Sequence, residues 1–305
     1  MRTLTDDDVR SALHWAALFD RLRGSFLRKE TYRAPDRVMI EAPQGGSFLT
    51  MPCADEDGYF GVKQVAVLPN NPTRDLPTVQ AWYTLFDSAG VPVLAAAATM
   101  LTRMRTAAVS ALAARELAAP GSSTLLVVGT GALAPWMAEA HARQIPYRRV
   151  LVWGRDRSRA AATAAAIRVR LPGLEVDVAE ELGEAVGAAD VVSCATAATE
   201  PIVRGRWLTP GHHLDLVGAF TPTMMEADAD AVQVCDVVVD DREAAASEAG
   251  DLISACRGGW SFDRVRADLA ELLDGSLVRG TKPTLFKSVG LALEDLAVAR
   301  LLAEV

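Results

Sequence analysis

Lys63 sits inside an apolar run with strand character, Phe60-Gly-Val-Lys63-Gln-Val-Ala-Val67. An ammonium flanked by Val and Phe is costly to bury alone, so it calls for an anionic partner or a depressed pKa. The alternatives are an edge strand that turns Lys63 to water, or a pair with an internal carboxylate such as Glu41. Two more cations stand in the same part of the chain. Arg37 opens the first β-rich run, and Arg105 starts a helix otherwise built from Ala, Val and Leu. A solvated place at the helix start also accounts for Arg105. Buried together, such cations would clamp an anion through charge-assisted hydrogen bonds.

A second constellation lies at Thr124-Leu-Leu-Val-Val-Gly129-Thr-Gly131. An apolar β-rich run ends in Gly-x-Gly and a helical pattern begins at Ala132. Ala134 completes G-x-G-x-x-A, a variant of the dinucleotide fingerprint. Glycines let the backbone approach a pyrophosphate, and the helix N-terminus offers unpaired N–H groups and a positive dipole end. A tight strand–helix turn without ligand is the plainer alternative. The second strand, Val150–Trp153, ends in Gly154-Arg155-Asp156-Arg157-Ser158. Arg155 lies 26 residues past Gly129, against about 20 for the ribose-binding position. Arg155, Arg157 and Ser158 suit a 2′-phosphate and point to NADPH, with NADH the alternative that Asp156 would favour. A solvated loop whose Ser158 caps the next helix explains the same residues. Ala195 and Thr196 follow a later strand and are expected to border the cofactor. With Gly129, Gly131, Ala132, Val217, Ser288 and Gly290 they complete the expected dinucleotide contacts.

These residues need elements to position them. Thr5-x-x-Asp8 starts one amphipathic helix through Val9, Leu13, Leu22 and Phe26. Short β-rich runs at 37–41, 46–51, 58–68, 79–86 and 91–97, broken by Gly, Pro and Asn, read as an antiparallel meander. An Ala-rich helix covers 103–117. From Gly121, strands near 124–128, 149–153, 174–178, 190–194, 213–217 and 235–239 alternate with helices near 132–143, 157–169 and 180–187. That alternation predicts an α/β fold with a Rossmann-type doubly wound parallel sheet beside the β-rich domain. The domains are expected at 1–120, rejoined by a C-terminal helical segment 288–305, and at 121–287. Asp215, mid-strand, reads as a buried carboxylate satisfied by backbone donors.

The chain has 305 residues, half of them hydrophobic, and a formal charge of −8. The charge argues against nucleic acid or anionic membrane as partner. No apolar run reaches the ~18–20 residues of a membrane span, and Met1–Asp8 lacks an apolar signal core. A cytoplasmic protein is expected. Cys53, Cys194, Cys235 and Cys256 have no C-x-x-C spacing and read as buried thiols. No His has metal-ligand spacing, so no metal is expected.

Gly61-Val-Lys63, Leu101-Thr-x-x-Arg105-Thr-Ala-Ala, Gly129-x-Gly131 and Leu216-Val-Gly218 together resemble the ornithine cyclodeaminase/μ-crystallin family over essentially the whole chain. Leu76-Pro-Thr-Val-Gln80, His213-Leu-Asp-Leu-Val-Gly-Ala-Phe-Thr-Pro222, Glu248-Ala-Gly-Asp251 and Thr284-Leu-Phe-Lys-Ser-Val-Gly290 look like its Δ1-pyrroline-2-carboxylate/Δ1-piperideine-2-carboxylate reductases. The resemblance implies a homodimer and a nicotinamide cofactor. It also implies a substrate carboxylate held by Arg37, Lys63 and Arg105. Family cyclodeaminases carry an acidic residue just after Val-Gly-Gly; here Phe220 takes that place, and a phenyl ring cannot accept a proton. The implied activity is therefore reduction of a cyclic imine carboxylate to L-proline or L-pipecolate, with Lys63 or a water as proton source. A cyclodeaminase, an amino-acid dehydrogenase, an amino-acid-joining synthase or a crystallin-like NADPH-binding protein without turnover are the alternatives on the same fold.

Overall fold

The computed structural model describes every residue except Gln44. The chain runs β1 (Arg2–Leu4), α1 (Asp6–Ala12), α2 (Trp15–Phe26), β2 (Val38–Glu41), β3 (Ser47–Ala54), β4 (Phe60–Val67), β5 (Val79–Phe86), β6 (Pro92–Ala97) and α3 (Ala98–Leu117). Next come β7 (Thr124–Val128), α4 (Ala134–Gln144), β8 (Arg149–Trp153), α5 (Arg157–Arg170), β9 (Glu175–Val178), α6 (Leu182–Ala188), β10 (Val191–Cys194) and β11 (His213–Leu216). The last elements are α7 (Ala229–Val234), β12 (Asp236–Val239), α8 (Arg242–Glu248), α9 (Gly250–Cys256), β13 (Val265–Asp268), α10 (Leu269–Leu273), β14 (Thr284–Lys287) and α11 (Ala292–Glu304). They form two units, residues 1–105 with 291–305, and residues 106–290. The first divide falls inside α3 rather than after residue 120. The reason is packing: Ala114, late in α3, shares a core with Leu125, Val127 and Val150.

The first unit is built on a six-stranded sheet, ordered β1-β6-β5-β4-β3-β2. Strands β2 to β6 form an antiparallel meander. Gly58 (φ 81°) and Gly90 (φ 79°) turn two of its hairpins. Asp55 and Asp87 close those turns by accepting backbone N–H groups two and four residues on. β1 pairs parallel with β6; three residues carry no readable period, so tertiary pairing alone makes it a strand. The single helix expected after Thr5 is two. The Thr5–Asp8 capping box starts α1, but Leu13 and His14 are extended and α2 starts afresh. Apolar spacing continues across that break and hides it.

Side chains alternate across this sheet. Met51, Lys63 and Tyr83 register in one row across β3, β4 and β5 and are buried on the face that α11 covers. The other face leaves Val38, Ile40, Phe48 and Trp82 exposed.

The second unit is an eight-stranded, all-parallel sheet in the order β13-β12-β14-β11-β10-β7-β8-β9. Strand order reverses between β7 and β10, the switch point at which such sheets bind ligands. Strands β13 and β14 escape the sequence reading; β13 (Val-Arg-Ala-Asp) carries a single β-branched residue, and both are defined by pairing with β12. Asp215 is held by side chains rather than backbone. Ser193 Oγ donates to it (2.7 Å), Ser110 Oγ donates too, and His141 Nε2 lies 3.3 Å away. Backbone donors are spent in the ladder of a central strand. No helix among the described residues is long and apolar enough to cross a membrane.

Candidate functional site

In the first unit, Lys63 is 2 % exposed and Arg105 5 %. Neither the water-facing strand nor the solvated helix start describes them, and Arg105 lies in the middle of α3 because that helix begins at Ala98. The partner of Lys63 is Asp295, not Glu41: Nζ stands 2.7 Å from Asp295 Oδ2. The other oxygen of the same carboxylate accepts from Arg105 Nε at 3.1 Å. Glu294 Oε2 accepts from Arg105 Nη1 at 2.8 Å, and its Oε1 accepts the Leu291 N–H at 2.9 Å. Both carboxylates are fully buried in the first turn of α11, where the helix dipole favours negative charge. Asp295 thus bridges an ammonium and a guanidinium.

Burial pulls the Lys63 pKa down to about 8; Asp295 opposes the shift and Arg105 adds to it. Burial alone would lower Arg105 too, but Glu294 and Asp295 outweigh it and the net shift is upward. Gly61 is needed beside Lys63, since a Cβ there would lie 2.5 Å from the Tyr83 hydroxyl. Arg37 is half-buried and directly precedes β2. Val38 registers with Thr50, next to Met51, the cross-strand neighbour of Lys63.

In the second unit, a cavity of about 360 Å³ opens at the switch point. Gly129, Thr130 and Gly131 line it after β7, and Trp153, Gly154, Arg155, Asp156 and Arg159 after β8. Ala195 and Thr196 lead the loop after β10 that completes it. Gly129 has φ 127°, and a Cβ there would lie 2.6 Å from the Ala195 carbonyl oxygen. Only glycine fits where the two strand ends meet, which is what a backbone cradle for a pyrophosphate requires. α4 starts at Ala134, two residues later than expected, and Ala134 is fully buried.

Arg159, not Arg157, reaches the cavity; Arg157 pairs with Glu180 on the surface. Ser158 does not cap α5. Asp156 does, accepting from the Ser158 and Arg159 N–H groups and from Ser158 Oγ. The Ser158 hydroxyl holds its pKa low, helped by those N–H groups. Ala132, Val217, Ser288 and Gly290 lie outside the cavity lining. Ser288 Oγ and the Val289 and Gly290 N–H groups all donate to buried Asp240.

Sequence reasoning missed Glu294, Asp295, Asp240 and Glu226. A Glu-Asp pair in the first turn of a largely apolar helix was the available signal for the first two, set beside two cations in want of partners. Glu226 lies in an acidic stretch with Asp228 and Asp230 and gave none.

Over its whole length the structure superposes on Thermococcus litoralis Δ1-pyrroline-2-carboxylate reductase, a structure in complex with NADH and L-proline. The TM-score is 0.95 at 31 % identity, covering 100 % of this chain and 97 % of that one. The Azospirillum brasilense Δ1-pyrroline-2-carboxylate/Δ1-piperideine-2-carboxylate reductase is 37 % identical over 88 % of this chain and 83 % of its own. The mouse ketimine reductase mu-crystallin is 33 % identical over 92 % and 93 %. With the family model matched from residue 2 to residue 305, the chain belongs to the ornithine cyclodeaminase/mu-crystallin family.

Proposed function

We propose that this enzyme reduces a cyclic imine carboxylate, Δ1-pyrroline-2-carboxylate or Δ1-piperideine-2-carboxylate, to L-proline or L-pipecolate. The observation that carries the reading is the buried Lys63–Asp295–Arg105 cluster. Two cations against Glu294 and Asp295 are formally neutral. An incoming carboxylate adds one negative charge, and Arg37 is the third cation that offsets it. Arg105 and Arg37 orient the carboxylate by charge-assisted hydrogen bonds. Lys63, with its pKa near 8, is charged at neutral pH yet able to give up a proton, and it donates that proton to the imine nitrogen. When bound, the reduced nicotinamide supplies hydride to the imine carbon. Phe220, packed against the apolar core of its unit, offers no carboxylate for the amine chemistry of a cyclodeaminase.

The cofactor is a nicotinamide dinucleotide, and NADPH is preferred to NADH. Arg155 and Arg159 both line the cavity, and Asp156 is occupied as the α5 cap. Gly129, Gly131, Ala195 and Thr196 hold the dinucleotide backbone, with Arg155 at the ribose phosphate. The functional form is a homodimer: Val38, Ile40, Phe48 and Trp82 make an exposed apolar patch that a second copy covers. Four unpaired thiols suit the reducing cytoplasm.

The test is loss of reduced-nicotinamide absorbance with each imine, using NADPH and NADH in turn. Turnover faster with NADPH, with L-proline or L-pipecolate as product, is the expected result. Silence with both imines together with ammonia release from ornithine would replace the reading by a cyclodeaminase. Dinucleotide binding without any turnover would leave a binding protein.

A further inference from the structure

Behind the cavity lies a buried charged network that the proposed reaction does not use. Glu226 is fully buried. Its Oε1 accepts the Thr196 N–H at 2.6 Å, and its Oε2 accepts the Gly218 N–H at 2.8 Å and the Ala219 N–H at 3.4 Å. Thr196 is the second residue of the loop after β10 that lines the cavity; Gly218 is the second residue after β11. The two loops are pressed together: a Cβ on Gly218 would lie 2.1 Å from the Thr196 carbonyl oxygen and 2.5 Å from Glu226 Oε1. Glu226 is itself pinned. Asp251 Oδ1 accepts the Glu226 and Ala227 N–H groups at 2.6 and 2.9 Å, and Asp251 Oδ2 pairs with Lys287 Nζ at 2.7 Å. The Glu248–Asp251 and Thr284–Gly290 blocks therefore meet in this network.

We propose that Glu226 is a positioning residue for the dinucleotide, its ionised carboxylate clamping the Thr196 and Gly218 loops together so that the cavity keeps its shape. The carboxylate presents a charged acceptor to both loops at once. An amide accepts from one loop but turns its NH2 toward the other, where two donors face each other, and a protonated acid keeps only a weaker, uncharged hydroxyl acceptor for one of them. The groups acting on Glu226 are Lys287 of β14, Asp251 of α9 and the Cys194 thiol of β10. Burial pushes the Glu226 pKa up to about 7; Lys287 opposes this and Asp251 adds to it. Cys194, held well above its usual range by burial, stays neutral. The clamp therefore opens on protonation near neutral pH. The inference rests on the reading that the cavity takes a nicotinamide dinucleotide, and not on the imine substrate.

The experiment is NADH titration of the full chain without imine, by fluorescence, from pH 6 to 8.5. NADH is the probe because its pyrophosphate does not titrate in that range. Wild type is expected to bind more weakly as pH falls through about 7. Glu226→Gln is expected to bind about tenfold more weakly than wild type at pH 8.5, with a Kd flat in pH. Equal affinities at pH 8.5, or the same pH slope in both proteins, would overturn the proposal. If the variant does not fold, the wild-type profile decides alone, and a flat one overturns it. Absence of NADH binding by wild type at every pH would sink the dinucleotide reading and the clamp together.

Discussion

Residues 1–105 with 291–305 and residues 106–290 present their functional groups in opposite ways. In the first unit they are buried side-chain charges brought from three distant segments: Lys63 on β4, Arg105 on α3, Glu294 and Asp295 on α11. In the second they are backbone groups and glycines at adjoining strand ends, Gly129, Gly131, Ala195 and Thr196, with two exposed arginines beside them. A site made of charges is broken by removing an atom group, because a partner charge is left buried and unpaired. A site made of backbone is broken by adding one, because a close approach is blocked. On the reading proposed above, the contrast also separates their tasks, chemistry in the first unit and cofactor holding in the second.

The largest effect should come from Arg105→Ala. It removes a proposed ligand of the substrate carboxylate and leaves Glu294 and Asp295 facing Lys63 alone. Imine kcat/KM should fall roughly 1000-fold, and unfolding should become easier by about 3–5 kcal/mol, while NADPH Kd stays unchanged. Full turnover at unchanged KM would refute the carboxylate role. A smaller effect belongs to Gly129→Ala. The methyl meets the Ala195 carbonyl at a backbone angle that suits only glycine, so dinucleotide Kd should rise roughly 10- to 100-fold, with the KM for imine little changed.

The smallest effect is a shift in a pH profile. With Lys63 as the proposed proton donor, imine kcat/KM should be full below about pH 8 and fall as pH rises through it. Asp295 is what holds the proton on Lys63 against burial. Asp295→Asn should therefore move the alkaline limb to lower pH. A limb left in place would mean that another group donates.

How much of this was legible follows from the same contrast. The proposed dinucleotide site is local: strand, Gly-x-Gly and helix are consecutive, so the glycine turn that lines the cavity and the doubly wound order could be read directly. Even there the structure lines the cavity with Arg159 and pairs the expected Arg157 with Glu180. Two residues, about 200° of helix rotation, decide which arginine faces the cavity, and the start of that helix is set by the Asp156 cap. The charged site was half legible. Lys63 in an apolar strand announces a need for an anion, but the anion is Asp295, 232 positions away, and only folding joins them. Glu226 was invisible, because its partners are backbone N–H groups, which no sequence displays. The break between α1 and α2 and the strands β1, β13 and β14 were lost because tertiary pairing, not pattern, defines them.

The most direct test of the division between chemistry and holding is Lys63→Ala, measured twice on one preparation. Δ1-Pyrroline-2-carboxylate turnover should fall by roughly 100-fold or more, while the NADPH Kd should match wild type. Turnover left intact would show that Lys63 is not the proton donor; a matching collapse of NADPH affinity would show that the two tasks are not separate.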